Sequence, residues 1–234
     1  MLPALARAQD ASFASRPVVT LIALAALTIL PFAFMTATSF VKISVVLSIL
    51  RNALGTGQVP SGTIITGLSA LLTLYVMTPV GEQIVDVAGP TASQIDFDDP
   101  LAGDSYDALF ESIDAGKEPL RDWLQRNSGD HELALFLDLA RQVRDPATRD
   151  SVSANDLIVV LPAFLITELA EAFQIGFLVF IPFLVVDMVV ANVLLALGMH
   201  MLSPTTVSLP FKLLLFVLVD GWYLLARALI LGYV

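Results

Sequence analysis

Apolar residues run through this chain in long blocks, and the blocks change character along it. From Pro17 to Val41 there are 25 residues without a charge, and from Asn52 to Gly81 another 30. Each is long enough to cross a hydrocarbon core of about 30 Å at about 1.5 Å of helix rise per residue, so both are candidate spans. Between Glu82 and Asp156 the pattern turns amphipathic. Turn chemistry comes first, at Gly89-Pro90, Asp98-Asp99-Pro100 and Gly103-Asp104. Then Leu120, Trp123 and Leu124, followed by Leu133, Phe136, Leu137 and Ala140, recur at steps of three and four, the spacing of helices with one buried face. Two or three short helices are predicted there. The last block, Leu157 to Val234, is apolar again but interrupted by Glu168, Glu171, Asp187, Lys212, Asp220 and Arg227.

That last block carries its own punctuation. Gly198 is placed as a helix C-terminal cap, Ser203 as an N-cap and Pro204 at the first helical position, which predicts a helical hairpin with Met199, His200, Met201 and Leu202 at its tip. Pro162, Pro182 and Pro210, with Gly176, are expected to bend the arms or open their hydrogen-bond ladders. Curved helices suit a closed ring better than a straight bundle. A charge facing lipid costs on the order of 2 to 4 kcal/mol, so the interrupting charges should be buried against protein or water, which disfavours a lone monomer in lipid. The expected fold is all-α: membrane-associated helical hairpins assembled as a ring, with a small acidic extracytoplasmic helical insert. Its divisions are an apolar region 1–81, the insert 82–156 and the hairpin region 157–234.

Composition sharpens this. The 234 residues are 56% hydrophobic and 15% charged, with a mean hydropathy of +0.80, well outside the range of ordinary soluble domains. The insert holds 17 acidic against 6 basic residues, a net of −11, whereas the rest of the chain holds 5 acidic and 6 basic. Lys42 and Arg51 lie between the two charge-free blocks and the acidic insert follows the second. The positive-inside tendency therefore puts the loop from Arg51 to Pro60 in the cytoplasm and the insert outside, with the N-terminus also outside. Arg7 and Arg16 oppose that orientation, and Met1 to Ala14 is too polar for a complete signal peptide. A net charge of −10 without clustered Lys or Arg argues against nucleic acid.

Candidate chemistry is sparse. The chain has no cysteine and only two histidines, His131 and His200, and it contains no His-Glu-x-x-His, Gly-rich phosphate loop or Gly-x-Ser-x-Gly. Glu168 and Glu171, three residues apart, could in principle share a metal or act as an acid/base pair, but without histidine ligands they make a weak site. No cofactor, metal or catalytic residue is expected. The intramembrane charges are the informative group. Asp187 and Lys212 are equidistant in sequence from the midpoint of the tip, so antiparallel arms bring them to one depth, roughly 18 Å below it. A buried charged network of Arg51, Glu168, Asp187, Lys212 and Asp220 is predicted. An ion-coupled transporter using Glu168, Asp187 and Lys212 as a relay is the competing reading. Its usual paired repeats are missing, and the native mass of the complex discriminates the two.

Several motifs then bear a family likeness. The run Pro162-Ala163-Phe164-Leu165-Ile166-Thr167-Glu168-Leu169, continuing through Ala172-Phe173-Gln174-Ile175-Gly176-Phe177, resembles a signature of the FliP/SctR family. So do Thr38-Ser39-Phe40, Leu50 to Thr56, Leu209-Pro210-Phe211-Lys212 and Val219-Asp220-Gly221-Trp222. The likeness leaves out Met1 to Ser15 and the region from Ile95 to Gly116. Leu202-Ser203-Pro204 is similar to the injectisome branch (SctR, YscR or HrcR) more than to the flagellar branch. The resemblance implies a homopentamer assembled with SctS/FliQ-type and SctT/FliR-type subunits in the bacterial inner membrane, its ring raised toward the periplasm. Such a ring encloses the gate through which unfolded protein substrates leave the cytoplasm. It also implies that Met199, His200 and Met201 occupy the place of a methionine gasket. Thioethers suit a seal that must rearrange around a passing chain, and His200 would make that seal sensitive to acid.

Overall fold

The computed structural model describes residues 17–57, 59–95 and 103–233, all helix and connection among the described residues. The readings made of Met1 to Ala14, of Arg7 and Arg16, and of the Asp98-Asp99-Pro100 turn lie outside them. In chain order the helices are α1 (Pro17–Thr36), α2 (Phe40–Leu54), α3 (Gly62–Ala92), α4 (Gly103–Arg126), α5 (Asp130–Val143), α6 (Leu157–Ala196), α7 (Pro204–Leu218) and α8 (Gly221–Leu231), with a 3₁₀ turn at Arg149–Ser151.

α3 and α6 are each long and apolar enough to cross a membrane. The other two candidate spans are broken. Thr28–Thr36 meets α2 at 72°, and α7 meets α8 at 61°. The first break falls inside the candidate span from Pro17 to Val41 and divides it between α1 and α2. The Thr38 hydroxyl bonds back to the Phe34 carbonyl and also accepts from the Phe40 amide, giving the chain a side-chain alternative to the backbone ladder at the bend. The second break lies at Asp220, whose φ of +53° is left-handed backbone that a non-glycine residue rarely adopts. It is not at Pro210, which α7 absorbs, just as α6 runs as one 40-residue helix through Pro162 and Pro182.

α2 is the hub. Ile43, Val46, Leu47 and Leu50 are buried in a core completed by Ile65 and Leu72 of α3, Ala172 and Phe183 of α6, Phe216 of α7, and Leu225 and Leu229 of α8. The approach of α2 to α6 depends on Gly176, where an added Cβ would come within 2.3 Å of Ile49 Cδ1 and 3.2 Å of Ile49 Cβ. Small residues at such crossings let helices pack closely where lipid supplies no hydrophobic drive.

A second core joins Val76 and Val80 of α3, Trp123 and Leu124 of α4, and Val160 and Phe164 of α6. The acidic insert thus shares its core with the apolar helices. α3 runs through residue 82 and also through Gly89-Pro90, where a turn was expected. The reason is α4, which lies along that end: Gly116 faces Ile84 and Ala88, and the Ser112 hydroxyl donates to Thr91 at 3.0 Å. Packing holds α3 helical past the proline, and it ends two residues later.

Candidate functional site

The hairpin tip is built by local rules. Gly198 sits at φ +73°, and the amides of Gly198 and Met199 reach back to the carbonyls of Leu195 (3.0 Å) and Leu194 (2.9 Å). This paired closure satisfies the last carbonyls of α6 and requires a residue at ease in the left-handed region. Ser203 is the N-cap of α7 in extended backbone, with Pro204 at the first helical position. Its hydroxyl meets the Thr205 hydroxyl at 2.8 Å and makes no side-chain cap bond. Between these ends Met199, His200 and Met201 stand exposed, Met201 at 99%.

Below the tip, Lys212 of α7 lies against Asp187 of α6, Nζ to Oδ2 at 2.6 Å, and is only 4% exposed. The Ser208 hydroxyl, one turn earlier on α7, donates to Asp187 Oδ1 at 2.5 Å. Lys212 also donates to the Ala53 carbonyl at 3.1 Å, one of the carbonyls left open at the end of α2 and at the negative end of its dipole. One cation thereby ties both arms of the hairpin to α2.

Glu168 belongs to a separate cluster. Lys42 of α2 approaches Glu168 Oε1 at 2.8 Å and Glu171 Oε2 at 2.6 Å, with Glu168 fully buried and Lys42 3% exposed. The approach to Glu168 is an ion pair by distance but is not aligned as a hydrogen bond. The Tyr233 hydroxyl donates to Glu168 Oε2. Lys42 Nζ stands 4.1 Å from the centroid of the Tyr233 ring, in cation–π range. Tyr233 in turn stacks on Trp123 at 5.8 Å and 21°, and Trp123 meets Phe164 at 5.2 Å. Both glutamates of the i, i+3 pair are engaged by Lys42.

The five residues expected to form one network are therefore divided. Asp187 and Lys212 make one cluster and Glu168 another. Asp220 is exposed at the kink between α7 and α8, where it serves as backbone N-cap without a side-chain cap bond. Arg51 is partly buried beside Gly62 at the start of α3, its Nε unpartnered. Sequence reasoning missed Lys42, Ser208 and Tyr233. The available signal was Lys42 itself, the only charge between Arg16 and Arg51 in an apolar run. Around these inward-turned charges the hairpin presents apolar side chains outward, including Phe173, Phe177, Met188 and Val193 on α6 and Phe211 and Val217 on α7, each more than half exposed.

Residues 23–229 match the FliP family. The Yop proteins translocation protein R of Yersinia pestis is 42% identical over 213 residues, 91% of this chain and 94% of that protein. The hypersensitivity response secretion protein HrcR of Ralstonia nicotianae is 40% identical over 225 residues, 96% and 99% of the two chains. The flagellar biosynthetic protein FliP of Pectobacterium carotovorum is 47% identical over 212 residues, 90% of this chain and 76% of that protein.

Proposed function

The chain belongs to the FliP family and is a subunit of the type III secretion export apparatus, and from that premise we propose that its α6–α7 hairpin forms one segment of a protein-conducting gate. Several copies, five by family likeness, surround a passage in the bacterial inner membrane or raised toward the periplasm, with SctS/FliQ-type and SctT/FliR-type subunits completing the assembly. Unfolded proteins pass through it. The injectisome branch is favoured by Leu202-Ser203-Pro204 at the tip, and the flagellar branch is the alternative within the family.

The observation that carries this reading is the combination at the hairpin: charges turned inward onto α2, apolar faces turned outward, and flexible thioethers at the exposed tip. An apolar surface of that extent on an isolated chain calls for lipid or neighbouring subunits. Methionine at the tip supplies a seal that excludes water and ions yet deforms around any sequence. Chemistry has no part in the mechanism, which is steric and hydrophobic closure, with the energy for export supplied elsewhere.

The test is the native mass of the purified complex, followed by ion leak through it after reconstitution. A multiple of the subunit mass and a tight resting pore are expected, with leak in Met199→Ala plus Met201→Ala. A stable monomer would return the transporter reading, and an equally tight double variant would remove the tip from the seal. Rescue of an injectisome-deficient strain against rescue of a flagellar export mutant decides the branch.

A further inference from the structure

A cavity of about 760 Å³ opens between α3, the end of α4, and the end of α8 with the residues that follow it. Its wall is mixed, and the apolar and aromatic part is made by Val76 and Pro79 from α3, Trp123 from α4, Ile230 from α8, and Tyr233. Its polar lining is Thr78 and Gln83 of α3, Arg126 at the last residue of α4, and Asn127. The volume falls within the roughly 300 to 1,000 Å³ of ordinary ligand sites.

Its level in the molecule is what identifies the occupant. α3 carries no charge from its start until Glu82, so the cavity straddles the point where this helix passes from charge-free to charged sequence. Val76 and Pro79 lie on the apolar side of that boundary, and Gln83 lies beyond it. Tyr75, 66% exposed, also lines the cavity and joins Trp123 and Tyr233 in a concentration of amphipathic rings, the composition that marks a membrane–water interface. Arg126 is exposed, and its Nε donates to the Asp122 carbonyl at 3.3 Å. Among the described residues it pairs with no carboxylate, which leaves the outer N–H groups of its planar guanidinium for two oxygens of a carboxylate or a phosphate.

We propose that this cavity binds one anionic phospholipid, its acyl chain against Val76, Pro79 and Ile230 and its phosphate on Arg126. The inference goes beyond the gate reading and does not depend on it: a lipid here would wedge α3, α4 and the end of α8 together whether or not the hairpin lines a passage. A zwitterionic lipid offers the same chain but a neutral head, and free phosphate offers the head without the chain, so the two halves of the site are separable.

The chain has two tryptophans, and Trp222→Phe leaves Trp123, which lines the cavity, as the single reporter. This chain carrying that change, purified without other subunits, is titrated in detergent with phosphatidylglycerol bearing brominated acyl chains, and quenching of Trp123 is recorded. Saturable quenching is expected. Its half-point should lie several-fold below that for brominated phosphatidylcholine, and Arg126→Gln should raise it roughly tenfold, the loss of a charge-assisted contact. Millimolar inorganic phosphate should not relieve the quenching. Equal half-points for the two lipids, an unchanged Arg126→Gln titration, or no quenching would each overturn the proposal. Relief by inorganic phosphate would make this an anion site and overturn the lipid assignment. Native mass measured on the same preparation keeps a failure of the gate reading distinct from a failure of this one.

Discussion

Replacing Lys42 with methionine should be the most damaging conservative change in the core of this subunit. Methionine keeps the length and apolar stem of lysine, so packing against α6 is nearly preserved and the perturbation is electrostatic. Glu168 is fully buried and Lys42 is its cation at 2.8 Å. Without it the carboxylate retains only the Tyr233 hydroxyl. Removing one partner of a buried ion pair costs about 3 to 5 kcal/mol, because the other charge is left uncompensated. That is a large share of the roughly 5 to 15 kcal/mol that holds a domain folded.

The reciprocal change is milder. In Glu168→Gln, Lys42 keeps Glu171 at 2.6 Å, and that carboxylate is 47% exposed and already hydrated, so a loss of about 1 to 2 kcal/mol is expected. Lys42→Met combined with Glu168→Gln removes both charges together and should recover most of what Lys42→Met alone loses. The measurement is the yield of assembled complex on native gels, with its midpoint of thermal dissociation in detergent, for the wild type, both single variants and the double. If Lys42→Met assembles like the wild type, or the double variant is worse than Lys42→Met, then the pair is not what stabilises the α2–α6 contact.

The second cluster should show the opposite asymmetry in residue type: Asp187→Ala strands Lys212, 4% exposed, with the Ala53 carbonyl, whereas Lys212→Ala leaves Asp187, 26% exposed, with water and Ser208. Asp187→Ala should lower complex yield more than Lys212→Ala, and equal, wild-type yields would refute the network. Gly198→Ala, at φ +73°, should destabilise the hairpin by about 1 kcal/mol, read as a lower dissociation midpoint, while Gly221→Ala drives a Cβ to 2.2 Å from the rigid Phe216 ring and should cost more.

The sequence by itself determined what is decided within a few residues or by composition. Gly198, Ser203 and Pro204 mark the two ends of the hairpin because left-handed backbone, an N-cap and a fixed φ are properties of single residue types. The period of Leu120, Trp123 and Leu124 identified one face of α4 because that helix has a polar side to contrast with it. The hairpin's symmetry was enough to set Asp187 and Lys212 at one depth. Tertiary structure decided the rest. α6 is apolar all round, so no periodicity says which side meets α2, and the pairing of Lys42 with Glu168 follows only from the close crossing at Gly176. Tyr233 reaches Glu168 across 65 residues of chain, a contact no local pattern encodes. The run of α3 through Gly89-Pro90 was settled the same way: packing against α4 outweighed the roughly 3 kcal/mol that a helix-interior proline costs.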